Sequence, residues 1–287
     1  MNMKTGLAAL VTALLLLPGI AQADELPMKA EAPITLTSPS AILCEASTGQ
    51  VIFEKNADER RPVASVNKVM TILLTLEAVD EGRVSLEDQV TVSPRAASMG
   101  GSQAFLDAGE RYKLSELLKT VIVASANDSA VALAEHLAGT EESFVRLMNT
   151  RAEELGLTNT HYANCTGLPA QEHYTTARDV AKLSAQLDLH PIYYRYSTIW
   201  MDEIKHRGGR VTSLTNTNRL IRFYPGCDGY KTGSTNEARY CVSATAKKEG
   251  MRLIAVVLGT PAGQTRFDEA RAMLEYGLSR RPSGLRK

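Results

Sequence analysis

The sequence carries no surplus of charge of either sign: lysine and arginine together number 32, and so do aspartate and glutamate. A domain that grips a nucleic-acid backbone needs a basic surplus or stripe, so nucleic acid is not an expected partner. Cysteine is scarce, and Cys44, Cys165, Cys227 and Cys241 stand at spacings that fit no metal-binding pattern. There is no phosphate-cradling glycine loop, so neither a metal nor a nucleotide cofactor is called for. Past the N-terminus no apolar run approaches the ~20 residues of a membrane-spanning helix. Internal repeats and low-complexity linkers are also missing, which excludes solenoids and arrays. Whatever this chain binds must be held by a local site.

What is present is an ordinary globular balance, 44% hydrophobic and 22% charged over 287 residues, enough for one large domain or two small ones. The first 23 residues read differently. Lys4 supplies a positive start, an apolar run follows from Leu7 to Leu17, Pro18-Gly19 breaks it, and Ala21-Gln22-Ala23 offers small residues for cleavage. That order is a secretory signal peptide, so the mature chain is expected outside the cytoplasmic membrane, in periplasm or wall. Disulfides are possible there, but a chain of this length does not need them. Cys44 and Cys241 lie in strand-like apolar stretches, and all four cysteines are read as free.

Residues 24–39 form a Pro- and Ala-rich lead-in. Ala41 to Ala46 and Val51 to Lys55 read as a hairpin around Ser47-Thr48-Gly49-Gln50. Helical periodicity then covers Ser65 to Glu81, Leu114 to Val123, Ser129 to Ala138, Glu142 to Leu155 and Thr176 to Leu187. Strand character returns over Gly229 to Thr235, Tyr240 to Ala246 and Met251 to Leu258, and Thr265 to Leu278 is helical again. The pattern predicts an α/β fold: an antiparallel sheet from both chain ends, covered by helices, with a mostly helical lobe inserted. The site is expected between sheet and lobe.

Three short patterns carry chemistry. Ser65 and Lys68 are three apart, so on a helix the amine reaches the hydroxyl and, if neutral, can take its proton. A helix-opening serine with a solvated lysine has the same spacing. Ser125-Ala126-Asn127 lies between two helices; Asn127 or Asp128 could cap the second one, or the Ser125 hydroxyl could relay a proton while the Asn127 amide donates to substrate. Lys231-Thr232-Gly233, followed by Ser234, sits on a strand, where lysine and threonine could hold a carboxylate and glycine would let a substrate backbone lie close. An exposed edge strand blunted by lysine is the plainer alternative.

Each pattern alone is weak, but the three in this order are the signature of penicillin-recognising serine enzymes. From Ala41 to Tyr276 the chain resembles the serine-type D-alanyl-D-alanine carboxypeptidases, the low-molecular-mass penicillin-binding proteins of the DD-peptidase/β-lactamase-like superfamily. Ala64-Ser65-Val66-Asn67-Lys68, Gly100-Gly101-Ser102, Ser125-Ala126-Asn127-Asp128, His173 to Asp179 and Asp228 to Gly233 carry the resemblance. It implies a catalytic domain over residues 40–279 that removes the terminal D-alanine of peptidoglycan stem pentapeptides and is acylated by penicillin. By the same likeness Ser65 is nucleophile, Lys68 base and Ser125 relay. Backbone N–H groups of Ser65 and Ser234 form an oxyanion hole, Asn127 holds the substrate amide, and Lys231 and Thr232 bind its carboxylate. The charge of Lys231 would help keep Lys68 neutral.

The rivals are a D,D-endopeptidase, a class A β-lactamase and a wall-binding protein without turnover. The lactamase deacylates with a glutamate written Glu-x-x-Leu-Asn, and residues 156–164 hold none; Glu153 and Glu154 read as a solvated helix face. Arg239 is expected to be exposed and His173 to serve structurally. His136, His161, His190 and His206 have no motif partners. The basic tail, residues 280–287, is not amphipathic, so membrane association is expected to be weak or to rest on an uncleaved signal.

Overall fold

The computed structural model describes residues 34–280. The expected signal peptide, the first part of the lead-in and the tail beyond Arg280 lie outside the described residues. In chain order the elements are β1 Ser40–Glu45, β2 Val51–Lys55, a 3-10 turn Ala64–Asn67, α1 Lys68–Asp80, β3 Gln89–Thr91, α2 Pro94–Ala97, β4 Arg111–Lys113, α3 Leu114–Val123, α4 Asn127–Ala138 and α5 Glu141–Glu154. They continue with α6 Ala177–Gln186, α7 Ile192–Ser197, β5 Met201–Lys205, β6 Val211–Thr215, α8 Leu220–Phe223, β7 Cys227–Thr235, β8 Arg239–Lys248, β9 Met251–Thr260 and α9 Thr265–Ser279.

The main sheet has the order β2-β1-β9-β8-β7, antiparallel throughout, so the N-terminal hairpin pairs with the last strand of the C-terminal meander. This is the predicted joining of both chain ends. Because side chains alternate along a strand, β1 and β9 feed two cores at once. Ile42, Cys44, Ile254, Val256 and Leu258 face the helical lobe, while Ala41, Leu43, Leu253, Ala255 and Val257 face α9 with Phe267, Met273 and Leu274. A strand buried on both sides reads as an unbroken apolar run, which is why Leu253 to Leu258 shows no alternation.

Helix α1 is the axis of the lobe and is buried on nearly every side from Lys68 to Leu76. Its threonines are satisfied locally: Thr71 Oγ1 donates to the Cys165 carbonyl at 2.7 Å and Thr75 Oγ1 to the Thr71 carbonyl at 2.8 Å. Around it, α5 and α6 are capped by Thr140 and Thr176, whose hydroxyls accept from the third residue on. At the start of the described chain, Thr37 and Ser38 donate to the buried carboxylate of Glu269 on α9, and Lys55 donates to the Leu36 carbonyl.

The lobe is less purely helical than the periodicity predicts. It carries two small two-stranded antiparallel sheets, β3–β4 and β5–β6. In each of these four strands a single residue is buried: Val90, Tyr112, Ile204 and Leu214. One inward side chain is too little apolar signal for a strand to stand out in sequence. Among the described residues no helix is long and apolar enough to cross a membrane.

Candidate active site

The helix predicted to open at Ser65 opens at Lys68 instead, and Ser65 sits one turn earlier on the 3-10 segment. That segment is clamped from two sides by glycines. A Cβ on Gly167, whose φ is +83°, would lie 2.0 Å from the Ala64 carbonyl oxygen. A Cβ on Gly233 would lie 2.4 Å from the Val63 carbonyl and 2.7 Å from the Ser65 nitrogen. The glycine of Lys231-Thr232-Gly233 therefore makes room for the protein's own nucleophile-bearing turn, where sequence reasoning assigned that room to substrate backbone. Ala64 itself holds φ +49°, a left-handed conformation costly for a residue with a side chain.

Lys68 is fully buried, and its Nζ donates to Ser65 Oγ at 2.8 Å and to the Thr166 carbonyl at 2.7 Å. Asn164 shapes the turn that presents Thr166, its Oδ1 accepting from the N–H of Thr166 and Gly167. Burial pushes the Lys68 amine down to about 7, against a smaller opposing pull from Cys165 and Asp128. A substantial fraction is therefore neutral near neutral pH.

Lys231 is also buried, with its Nζ donating to the Thr232 carbonyl at 3.2 Å. Its amine is held well below the usual lysine range by burial first, then by repulsion from Lys68 and Arg266. Desolvation is the leading effect on Lys68, and the repulsion between the two amines acts on both of them. Arg266 was missed in the sequence, where nothing marks it; its guanidinium donates to the carbonyls of Gly233 and Cys241 at 2.9 and 3.3 Å.

The Ser125–Asn127 link turns sharply, with Ser125 at φ +63°. The Asn127 backbone N–H donates to the Ser102 carbonyl at 2.7 Å and its Nδ2 to the Gly100 carbonyl at 2.7 Å. Gly101 lies so close that a Cβ would come within 2.8 Å of that Nδ2. Two buried atoms of this link, Ser125 Oγ and Asn127 Oδ1, are among those with no hydrogen bond within the protein. Asn127 was expected to donate to a ligand; its Nδ2 keeps a second N–H beyond the one given to Gly100, and its Oδ1, an acceptor, has no partner in the protein. Neither Asn127 nor Asp128 makes the side-chain cap expected at the α4 N-cap, which is Ala126. Asp128 instead accepts from the N–H of Ala104, Leu106 and Ser129, fastening the 104–106 loop to α4.

The remaining candidates fall in place around this centre. Thr232 is buried and Ser234 exposed. His173 Nε2 pairs with Asn67 Oδ1 at 2.9 Å, and burial lowers its pKa to about 4, so it is a neutral brace. Arg239 is exposed. The four thiols are buried and free, and burial raises each of them, Cys44 and Cys241 to about 11. Glu153 and Glu154 are exposed. The one buried carboxylate near the Thr166 turn is Glu141, which accepts from the Cys165 N–H at 3.3 Å and pairs with Arg95. Chemically, the arrangement is a half-buried hydroxyl beside a largely neutral amine, next to a second buried amine that an anion would charge.

The family profile described as D-alanyl-D-alanine carboxypeptidase matches residues 27–262. The D-alanyl-D-alanine carboxypeptidase DacF of Bacillus subtilis is 45% identical over 240 residues, covering 84% of this chain and 62% of the relative. The chain thus spans less than two thirds of that protein's length. The crystal structure of DacD from Francisella tularensis superposes with a TM-score of 0.82 at 32% identity, over 86% of this chain and 72% of that one. The Streptomyces K15 DD-transpeptidase gives 0.80 at 28% identity, over 87% and 100%.

Proposed function

The chain belongs to the D-alanyl-D-alanine carboxypeptidase family, and we propose that it removes the terminal D-alanine of peptidoglycan stem pentapeptides through an acyl-enzyme on Ser65. The observation that carries this reading is the 2.8 Å hydrogen bond from a fully buried Lys68 amine to the Ser65 hydroxyl. A serine hydroxyl attacks a carbonyl only when a neighbour takes its proton, and an amine held near 7 can do so at neutral pH.

In the proposed course, Ser65 Oγ adds to the carbonyl between the two D-alanines as Lys68 takes its proton. The oxyanion is met by the backbone N–H groups of Ser65 and Ser234, where losing one donor typically costs ~2.7–4 kcal/mol. Ser125 passes a proton to the departing amine as the C–N bond breaks. Water then enters, with Lys68 again as base, and the shortened peptide leaves. Asn127 Oδ1, otherwise unpartnered, accepts from a substrate N–H. Lys231 and Thr232 take the terminal carboxylate, whose arrival favours the charged form of Lys231 and so offsets its desolvation. Penicillin acylates the same hydroxyl through its β-lactam carbonyl. The substrate places the enzyme on the outer side of the cytoplasmic membrane.

Labelled penicillin is expected to mark the native protein covalently and not Ser65→Ala. A native protein that takes no label sinks the reading. Free D-alanine released from a pentapeptide, and none of the cleavage of a crosslinked dimer, separates the carboxypeptidase from the endopeptidase.

A further inference from the structure

Asp128 is a carboxylate that the proposed chemistry does not use, 1% exposed on the first turn of α4. It forms no ion pair among the described residues. Its hydrogen bonds come from the N–H of Ala104 at 3.0 Å, of Leu106 at 3.1 Å and of Ser129 at 2.8 Å, and from the Ser129 hydroxyl at 3.5 Å. The positive end of α4 offsets part of the desolvation, yet a buried charge with no cation beside it still disfavours folding. Its two long-range donors belong to the same short loop, and that loop leads to the site.

The loop is held against its own backbone preference. Phe105, between the two N–H groups that Asp128 takes, has φ +60°, a left-handed conformation costly for an aromatic residue. Its side chain is 57% exposed, so burial does not offset that cost. From the other side Arg210 donates to the Phe105 carbonyl at 2.8 Å. Upstream in the same segment, the carbonyls of Gly100 and Ser102 accept from the Asn127 Nδ2 and the Asn127 backbone N–H, both at 2.7 Å. Residues 100–106 therefore bridge two neighbours on α4, with carbonyls on Asn127 and N–H groups on Asp128. The bond to Gly100 fixes how the Asn127 amide is turned, and so where a substrate can meet it. Resting on the reading of Asn127 as a substrate contact, we propose that Asp128 is a positioning residue for the reaction. It pins the strained 104–106 backbone, and the pinned segment holds the Asn127 amide in register with the substrate.

The test is a double-mutant cycle on D-alanine release, with rates taken per site that labelled penicillin can acylate, so that unfolded protein does not count. Asp128→Asn keeps the size but turns an NH₂ group toward backbone N–H donors, and should lower kcat/KM about tenfold. In an Asn127→Ala background the same change should cost less than about twofold, because the amide it positions is gone. A second variant replaces Leu106 by its α-hydroxy acid, which removes one N–H donor and leaves the side chain in place. It should cost about threefold in the native background and nothing in Asn127→Ala, and it decides the matter if Asp128→Asn does not fold. A native rate per site in both variants, or the same factor lost in both backgrounds, shows a purely structural Asp128 and overturns the proposal. A native rate in Asn127→Ala alone overturns the reading of Asn127, and the proposal with it.

Discussion

On the α9 side of the main sheet the strands meet an apolar layer, Leu43, Val242, Leu253 and Val257 against Phe267, Met273 and Leu274, all but fully buried. On the lobe side the same sheet lies against two buried lysines, a left-handed alanine and two buried polar atoms with no partner in the protein. Both sides are well filled, and the α9 side too has unmade hydrogen bonds, at Ser38 Oγ and at Nε of Arg266, Arg271 and Arg280. The buried lysine amines lie on the lobe side alone, and a buried amine disfavours folding until a ligand or a lost proton relieves it. The contrast divides the molecule into a face that holds and a face that reacts, and each can be perturbed without the other.

The largest expected effect is at Ser65. Ser65→Ala should lower D-alanine release by at least about 10⁴-fold, with thermal unfolding close to native. The cleanest opposite is Leu274→Ala on the α9 face, expected to remove ~2–5 kcal/mol of stability while the folded fraction keeps its kcat. Next comes Lys68→Met, which should reduce penicillin acylation ~10²–10⁴-fold. Its native pH profile should rise through about 7 as Lys68 loses its proton. A profile with no group titrating below the ordinary lysine range would falsify the assignment.

A matched pair of glycines probes the comparison more finely. Gly233→Ala drives a methyl into backbone of the Ser65 turn, and the displacement should cost ~10²-fold in kcat/KM. Gly277→Ala on α9 meets Leu253 Cδ1 at 2.5 Å and Leu43 Cδ2 at 3.0 Å, and should cost ~1–3 kcal/mol of stability with activity intact. Equal activity losses in the two would erase the division between faces. The last effect is on stability against pH. Lys68 binds its proton less tightly folded than unfolded, so its penalty is full below about 7 and is relieved as pH rises toward 10.5. Replacing it with methionine should flatten that part of the slope in denaturant titrations.

Much of this division is legible in the residues. The apolar run within Met251 to Leu258 marks a strand, and the three spaced patterns mark Ser65, Lys68, Ser125, Asn127 and Lys231 in advance. Arg266 and Glu141 were not legible, because each acts across a long sequence separation, on Gly233 and on Cys165, with no local pattern to announce it. The same holds for Asp128, whose donors lie two dozen residues away in the 104–106 loop. The two small sheets were missed because a single inward side chain per strand leaves no period to read.

The sequence by itself determined which side chains could react and the order in which the elements meet, since periodicity and residue type are local. Only the tertiary structure decided that Ser65 sits on a 3-10 turn gripped between Gly167 and Gly233. Burial on all sides, a property of the whole packing, decided that Lys68 is largely neutral. The packing around Asn127 decided that its Nδ2 is engaged by the Gly100 carbonyl while its Oδ1 has no partner in the protein.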